Sequence, residues 1–183
     1  MANALFVSEA WLKKNTAISA NLDVTELLPF ITEAQDQFVQ DITGTTLYEA
    51  LKVAVIAGTL SSDQTALMNL IRPALAWYAV YKALPFLNWK IKQKSVLRGT
   101  GEGVNAAELN ELKYLRDETK TNAEFHGQRV VDYLRRNVNL FPEYRSPGNT
   151  DIYPTQSAYK LGIGFDMNEM SKEDREFYRR YLS

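Results

Sequence analysis

The chain has no cysteine. That excludes a disulfide framework, a thiolate nucleophile and any cysteine-ligated zinc or iron-sulfur centre. Histidine is reduced to His126 alone, so no second imidazole completes a usual metal site. Long apolar runs are missing too. The most hydrophobic stretch, Pro73 to Trp89, is too short to cross a bilayer comfortably and is broken by Lys82, Pro85 and Asn88, which favours a buried core helix and no membrane partner. A strong charge of either sign is also lacking, the net being -1, so total charge announces neither nucleic acid nor an anionic surface. The start, Met1 to Val7, has no basic region and meets Ser8-Glu9 early, so it is not expected to act as a secretory signal.

What is present is ordinary for a globular protein: 183 residues, 45% hydrophobic and 23% charged. That length fits one domain, or one with an appendage. The periodicity is helical. Leu27, Ile31, Ala34, Phe38 and Ile42 form one stripe, with Glu33, Asp36, Gln37 and Gln40 turned away. Ser8 is placed to cap a short helix to about Lys14. Asp23-Val24-Thr25-Glu26 has capping-box spacing, and Pro29 suggests a main helix over 29–42. Gly44 stands between this helix and the next as a hinge, predicted to be a left-handed cap, with Thr45 or Thr46 capping the helix that follows. Leu47, Leu51, Ala54 and Val55 stripe that second helix and Gly58 ends it.

Ser61-x-x-Gln64 is a capping box for a third helix, nearly apolar all round from Ala74 to Leu84, with a kink expected at Pro73 and an end at Pro85. Over 87–97 the pattern shifts to period two, predicting a strand or extended arm, with Gly99-Thr100-Gly101-Glu102-Gly103 as its turn. Asn105 opens the last long helix, to about Asn139, with Leu112, Leu115, Ala123, His126, Val130 and Tyr133 or Leu134 on the buried side. The reading is an all-α bundle of about four main helices over 1–140, with an extended excursion at 87–104. Residues 141–183 form a C-terminal arm that ends in a short helix opened by Ser171.

Catalytic signatures are sparse. The G-x-G-x-G run lacks the Gly-Lys-Ser/Thr of a phosphate loop, and no Gly-x-Ser-x-Gly elbow exists. Asp117 with Glu118, and Asp36 with Asp41, read as solvated helix faces. His126 is either a general base or a packed histidine, and its apolar side of the helix favours packing. No catalytic residue, metal ligand or cofactor is assigned, and an enzyme is not expected.

Charge distribution is more informative than its sum. Residues 1–62 carry three basic and seven acidic side chains, whereas 63–98 carry six basic and one acidic. Lys90, Lys92, Lys94 and Arg98 supply most of that excess, and a strand would set the three lysines to one side as a comb. Such a comb suits DNA phosphates, protection of a strand edge, or the acidic 1–62 region of a neighbouring copy. The arm is rich in interface-type residues: Tyr144, Tyr153, Tyr159, Phe165, Arg175, Phe177, Tyr178, Arg179, Arg180 and Tyr181. It either folds onto its own body or docks on a partner, and docking is the favoured reading.

The stripe from Ile31 to Ala34, the turn Thr43-Gly44 running into Leu51, and the helix order from Asp63 to Asn139 resemble the adaptor, or head-to-tail connector, proteins of tailed double-stranded DNA phages. The resemblance implies a virion structural protein. It would sit in the neck between capsid and tail, after assembly in the host cytoplasm, as a homo-oligomeric ring of about twelve copies. Its implied partners are the portal protein, tail or neck proteins, and packaged DNA passing without sequence-specific binding. The tail after Phe141 departs from the shorter members of that family. A cellular α-helical binding module is the alternative, and it predicts a monomer or dimer.

Overall fold

A computed structural model describes residues 4–16, 24–92, 95–98, 109–148 and 151–159. The protein is all-α. Helices α1 (Glu9–Asn15), α2 (Val24–Ala34), α3 (Gln40–Thr43), α4 (Thr45–Ala57), α5 (Ser62–Asn88), α6 (Leu109–Arg136) and α7 (Pro142–Arg145) follow in order. A π-helical turn, Gln35–Val39, joins α2 to α3 without a break. A two-stranded hairpin, β1 (Trp89–Lys92) and β2 (Ser95–Arg98), extends from α5.

Local signals account for several helix ends. The Ser8 hydroxyl accepts from the Trp11 amide at the start of α1. At α5 the Ser61 and Gln64 side chains cap each other's backbone amides reciprocally, at 3.1 and 3.0 Å. Gly58, at φ 65° and ψ 26°, closes α4 in the left-handed conformation.

Pro29 and Pro85 behave differently from the sequence expectation, whereas α5 continues past Pro73 as expected. α2 starts at Val24 and runs through Pro29, its sixth residue, which forgoes the i→i−4 bond that an N–H there would make. α5 runs through Pro73 and also through Pro85, which was expected to end it. The Phe86 ring packs on Phe30 of α2 with centroids 5.2 Å apart, holding the turn beyond Pro85 against the body. Tertiary packing here overrides a local breaker.

α5 and α6, each about 40 Å long at ~1.5 Å per residue, form the antiparallel spine of the bundle. α2 crosses α5, where Lys82 bonds both Glu33 at 2.7 Å and Gln37 at 3.0 Å. The core runs through Leu27, Ile31, Leu51, Leu67, Ile71, Leu75, Val131 and Leu134, all essentially inaccessible. Phe38 stacks flat on Tyr78, centroids 4.0 Å apart. On α6, Ala123, Val130 and Leu134 are buried as expected, but Leu115 is exposed and His126 only half-buried. Gly127 lies on the face that enters the core, where an added Cβ would come within 3.0 to 3.2 Å of Ala158, Tyr78 and Ile42.

The hairpin register pairs Trp89 with Arg98, Lys90 with Leu97, Ile91 with Val96 and Lys92 with Ser95. That pairing closes the hairpin between Lys92 and Ser95, ahead of the glycine run expected to turn it. Gly99 to Gly103, the expected cap Asn105, and Lys94 lie outside the described residues.

Candidate functional site

The Gly44 junction is where the sequence signal and the tertiary structure converge. Gly44 has φ 74° and ψ 156°. This is not the left-handed helical cap predicted from sequence but an extended, positive-φ conformation that is essentially glycine-only. It turns the chain from α3 into α4 while its amide bonds the Gln40 carbonyl at 2.7 Å and its carbonyl accepts from the Tyr48 amide at 3.0 Å.

The reason for so sharp a turn is the chain segment that crosses it. After α7, residues 146–148 and 151–159 form a strap over the junction. The Thr45 amide bonds the Ile152 carbonyl at 3.1 Å and the Thr155 amide bonds the Asp41 carbonyl at 2.8 Å. The Thr45 hydroxyl donates to the Asp151 carboxylate, and the Thr46 hydroxyl to the Pro147 carbonyl. The two threonines therefore hold the strap instead of capping α4, whose cap is Gly44 itself with no side-chain bond. Pro154 sits directly on Gly44.

Beyond the junction the strap reaches α6. The Ala158 amide donates to Gln128 Oε1 at 3.0 Å, and Ala158 is buried against Gly127. Phe141 and Ala158 both belong to the core. The helical body thus extends well past residue 140, and the first half of the arm is part of it.

This divides the predicted docking residues. Tyr144 is half-buried against the core, and its hydroxyl pKa is raised by burial. Tyr153 and Tyr159 stand on the strap with more than half their surface exposed. Phe165, Arg175, Phe177, Tyr178, Arg179, Arg180 and Tyr181 lie outside the described residues. Lys90 and Lys92 occupy alternate positions of β1, opposite Leu97 and Ser95, and Arg98 lies opposite Trp89.

Apolar side chains that the core does not absorb include two pairs, one on α4 and one on α6. Val53 and Ile56 on α4 are 66% and 59% exposed, and Tyr114 and Phe125 on α6 are 69% and 53% exposed. Tyr114 and Phe125 are eleven residues apart, three helical turns, and so share a face.

Among the described residues, no group of three or more His, Asp or Glu side chains is placed to hold a metal ion, and no helix is long and apolar enough to cross a membrane. His126 lies edge-on to Phe125, centroids 5.3 Å apart. Its pKa is lowered first by burial and then by Arg129. The folded state therefore holds the imidazole neutral while the unfolded chain takes up the proton first. Stability is expected to be full above the unfolded pKa of ~6.5 and to fall as pH drops through that value. Urea denaturation at pH 8 and pH 5 should show the loss, and His126→Gln should reduce it.

One group that carries no signal in the sequence patterning is central to the fold. Gln35 is 1% exposed. Its Oε1 accepts from the Phe6 amide at 2.8 Å, and its Nε2 donates to the Ala4 carbonyl at 2.8 Å and to Tyr48 Oη at 3.1 Å. Tyr48 in turn donates to Asp36.

A protein-family model described as "Family of unknown function (DUF6712)" matches residues 39–154. The chain belongs to that family. The DUF6712 match begins on the turn of helix before Gly44 and ends at Pro154, the residue seated on Gly44, so its two ends meet at the junction in space. No curated protein and no solved structure matches the chain.

Proposed function

We propose that this chain is a virion structural protein, the head-to-tail connector of a tailed double-stranded DNA phage, assembling as a ring beneath the portal. The observation that carries the reading is the Gly44 junction. The Thr43-Gly44 turn on which the resemblance rests is a built clasp, with α3, α4 and the strap closed around it, within the DUF6712 region. Catalysis has no part in this role. The exposed Val53 and Ile56 of α4 and Tyr114 and Phe125 of α6 supply apolar surface for side-by-side contact between copies. The hairpin with Lys90, Lys92 and Arg98 reaches a neighbour's acidic region or DNA phosphates, without reading sequence.

Two experiments test this. Sequencing the genes on either side should reveal a portal, a terminase and a major capsid protein; neighbours of ordinary metabolism would contradict the reading. The double substitution Val53→Glu, Ile56→Glu should leave thermal stability within about 0.5 kcal/mol, as for exposed positions, yet prevent incorporation into rings seen by electron microscopy. Normal incorporation would remove α4 from the interface.

A further inference from the structure

Gln128 is the point at which α6 holds the end of the strap. Its Oε1 accepts from the Ala158 amide at 3.0 Å and from the Ser157 hydroxyl at 3.5 Å, while its Nε2 donates to the Asp132 carboxylate, one turn along α6, at 3.0 Å. A primary amide has donors on one side and an acceptor on the other. The ionised carboxylate only accepts, so Asp132 decides which side meets the strap: a flipped Gln128 would set its NH2 against the Ala158 N–H and its oxygen against the carboxylate. The charge also polarises the amide and strengthens the bond that Oε1 accepts.

The strap is shaped for this contact. The Thr155 hydroxyl donates to the Ser157 carbonyl at 3.0 Å and the Tyr159 amide to the Ser157 hydroxyl at 3.2 Å, which folds the end into a turn. Upstream, Ile152 is bonded to α4, Thr155 to α3, and the Pro154 ring rests on Gly44. Residues 151–159 thus bridge three helices, yet Ala158 is the one buried side chain among them, lying over Gly127 beside Tyr78 and Ile42. Ile152, Pro154 and Thr155 are half-buried and the others exposed. When such a segment lifts, little apolar surface returns to water and the ladders within the helices stay intact.

We infer that residues 151–159 are a latch that opens and closes as one piece while the helical bundle stays folded, with the Asp132–Gln128 pair as its catch. Closed, it covers Gly127, Tyr78 and Ile42 and seats Pro154 on Gly44. Open, it bares that face and takes from the Thr45 amide, at the start of α4, its acceptor on Ile152. Asp132 acts on the latch through Gln128, as a positioning residue. The latch does not depend on the connector reading.

The test is hydrogen exchange of the full chain, read amide by amide by NMR. The Thr45, Thr155 and Ala158 amides, which bond across the latch to Ile152, Asp41 and Gln128, should share one protection factor. It should lie at least ~100-fold below that of the Leu75 and Val131 amides in the bundle. Protection equal to that of Leu75 and Val131 would mean that the strap leaves only on global unfolding, and three unrelated values would mean independent fraying; either result overturns the proposal. Asp132→Ala should lower protection at all three latch amides by ~10-fold, the worth of one charge-supported bond, with Leu75 and Val131 unchanged. Asp132→Asn keeps an acceptor for Gln128 and should restore most of the loss. Thr45 is the informative probe, because its amide is bonded to Ile152 and not to α6. A loss confined to Ala158, no loss, or an equal fall at Leu75 and Val131 would overturn the catch.

Discussion

Gly44→Ala is expected to destabilise the protein by about 3 to 5 kcal/mol and to detach the strap. Two physical effects combine. A backbone at φ 74°, ψ 156° costs a non-glycine residue about 1 to 3 kcal/mol. In addition, an added Cβ would lie 2.7 Å from both Cδ and Cγ of Pro154 and 3.1 Å from its nitrogen. Proline is a rigid ring joined to a segment bonded at Thr45 and Asp41, so it cannot swing aside without breaking those contacts. Relief of the clash alone is reached by adding Pro154→Gly, which should recover the steric part and leave the backbone part. Chemical denaturation of the single and double variants separates the two effects. Equal stability of Gly44→Ala and the natural chain would mean that the junction is not a fixed clasp.

Gly127→Leu should be comparably severe, on the order of 3 kcal/mol or more. Even a Cβ here would meet Ala158 Cβ at 3.0 Å, Tyr78 Oη at 3.1 Å and Ile42 Cδ1 at 3.2 Å, from three different elements. An isobutyl group exceeds what side-chain adjustment accommodates and must push α6 away from α5 or expel the end of the strap. Gly127→Ala is a milder variant, because its better helix propensity of about 1 kcal/mol opposes the tight contacts. Thermal unfolding should therefore rank Leu far below Ala, and a similar melting temperature for the two would show that the strap and α5 do not close on this point.

The helices themselves were legible from sequence because their signals are local. The Ser61-Gln64 box, the Ser8 cap and the Gly58 stop each involve atoms a few residues apart. The same locality explains what was misread. Pro29 and Pro85 obey the local rule only where packing does not oppose it. Thr45 or Thr46 reads locally as a cap because the strap that claims both hydroxyls lies more than a hundred residues away. Gln35 was invisible for a further reason. It stands four residues after Ile31, on the flank of the apolar stripe, and its partners Ala4, Phe6 and Tyr48 come from other segments. A glutamine next to an apolar stripe and opposite a tyrosine one helix later is the faint signal that was available. The candidate site divides the same way. Gly44 stood out in the sequence as a junction, while its strap and the exposed pair Tyr114 and Phe125 depend on how distant segments meet.

Electron microscopy of the purified protein mixed with the portal protein that the connector reading expects as its partner tests the central claim most directly. The connector reading predicts an added cyclic tier beneath each portal ring, its copies in register with the portal symmetry. Bare portal rings beside a chain that stays monomeric at high concentration would contradict it.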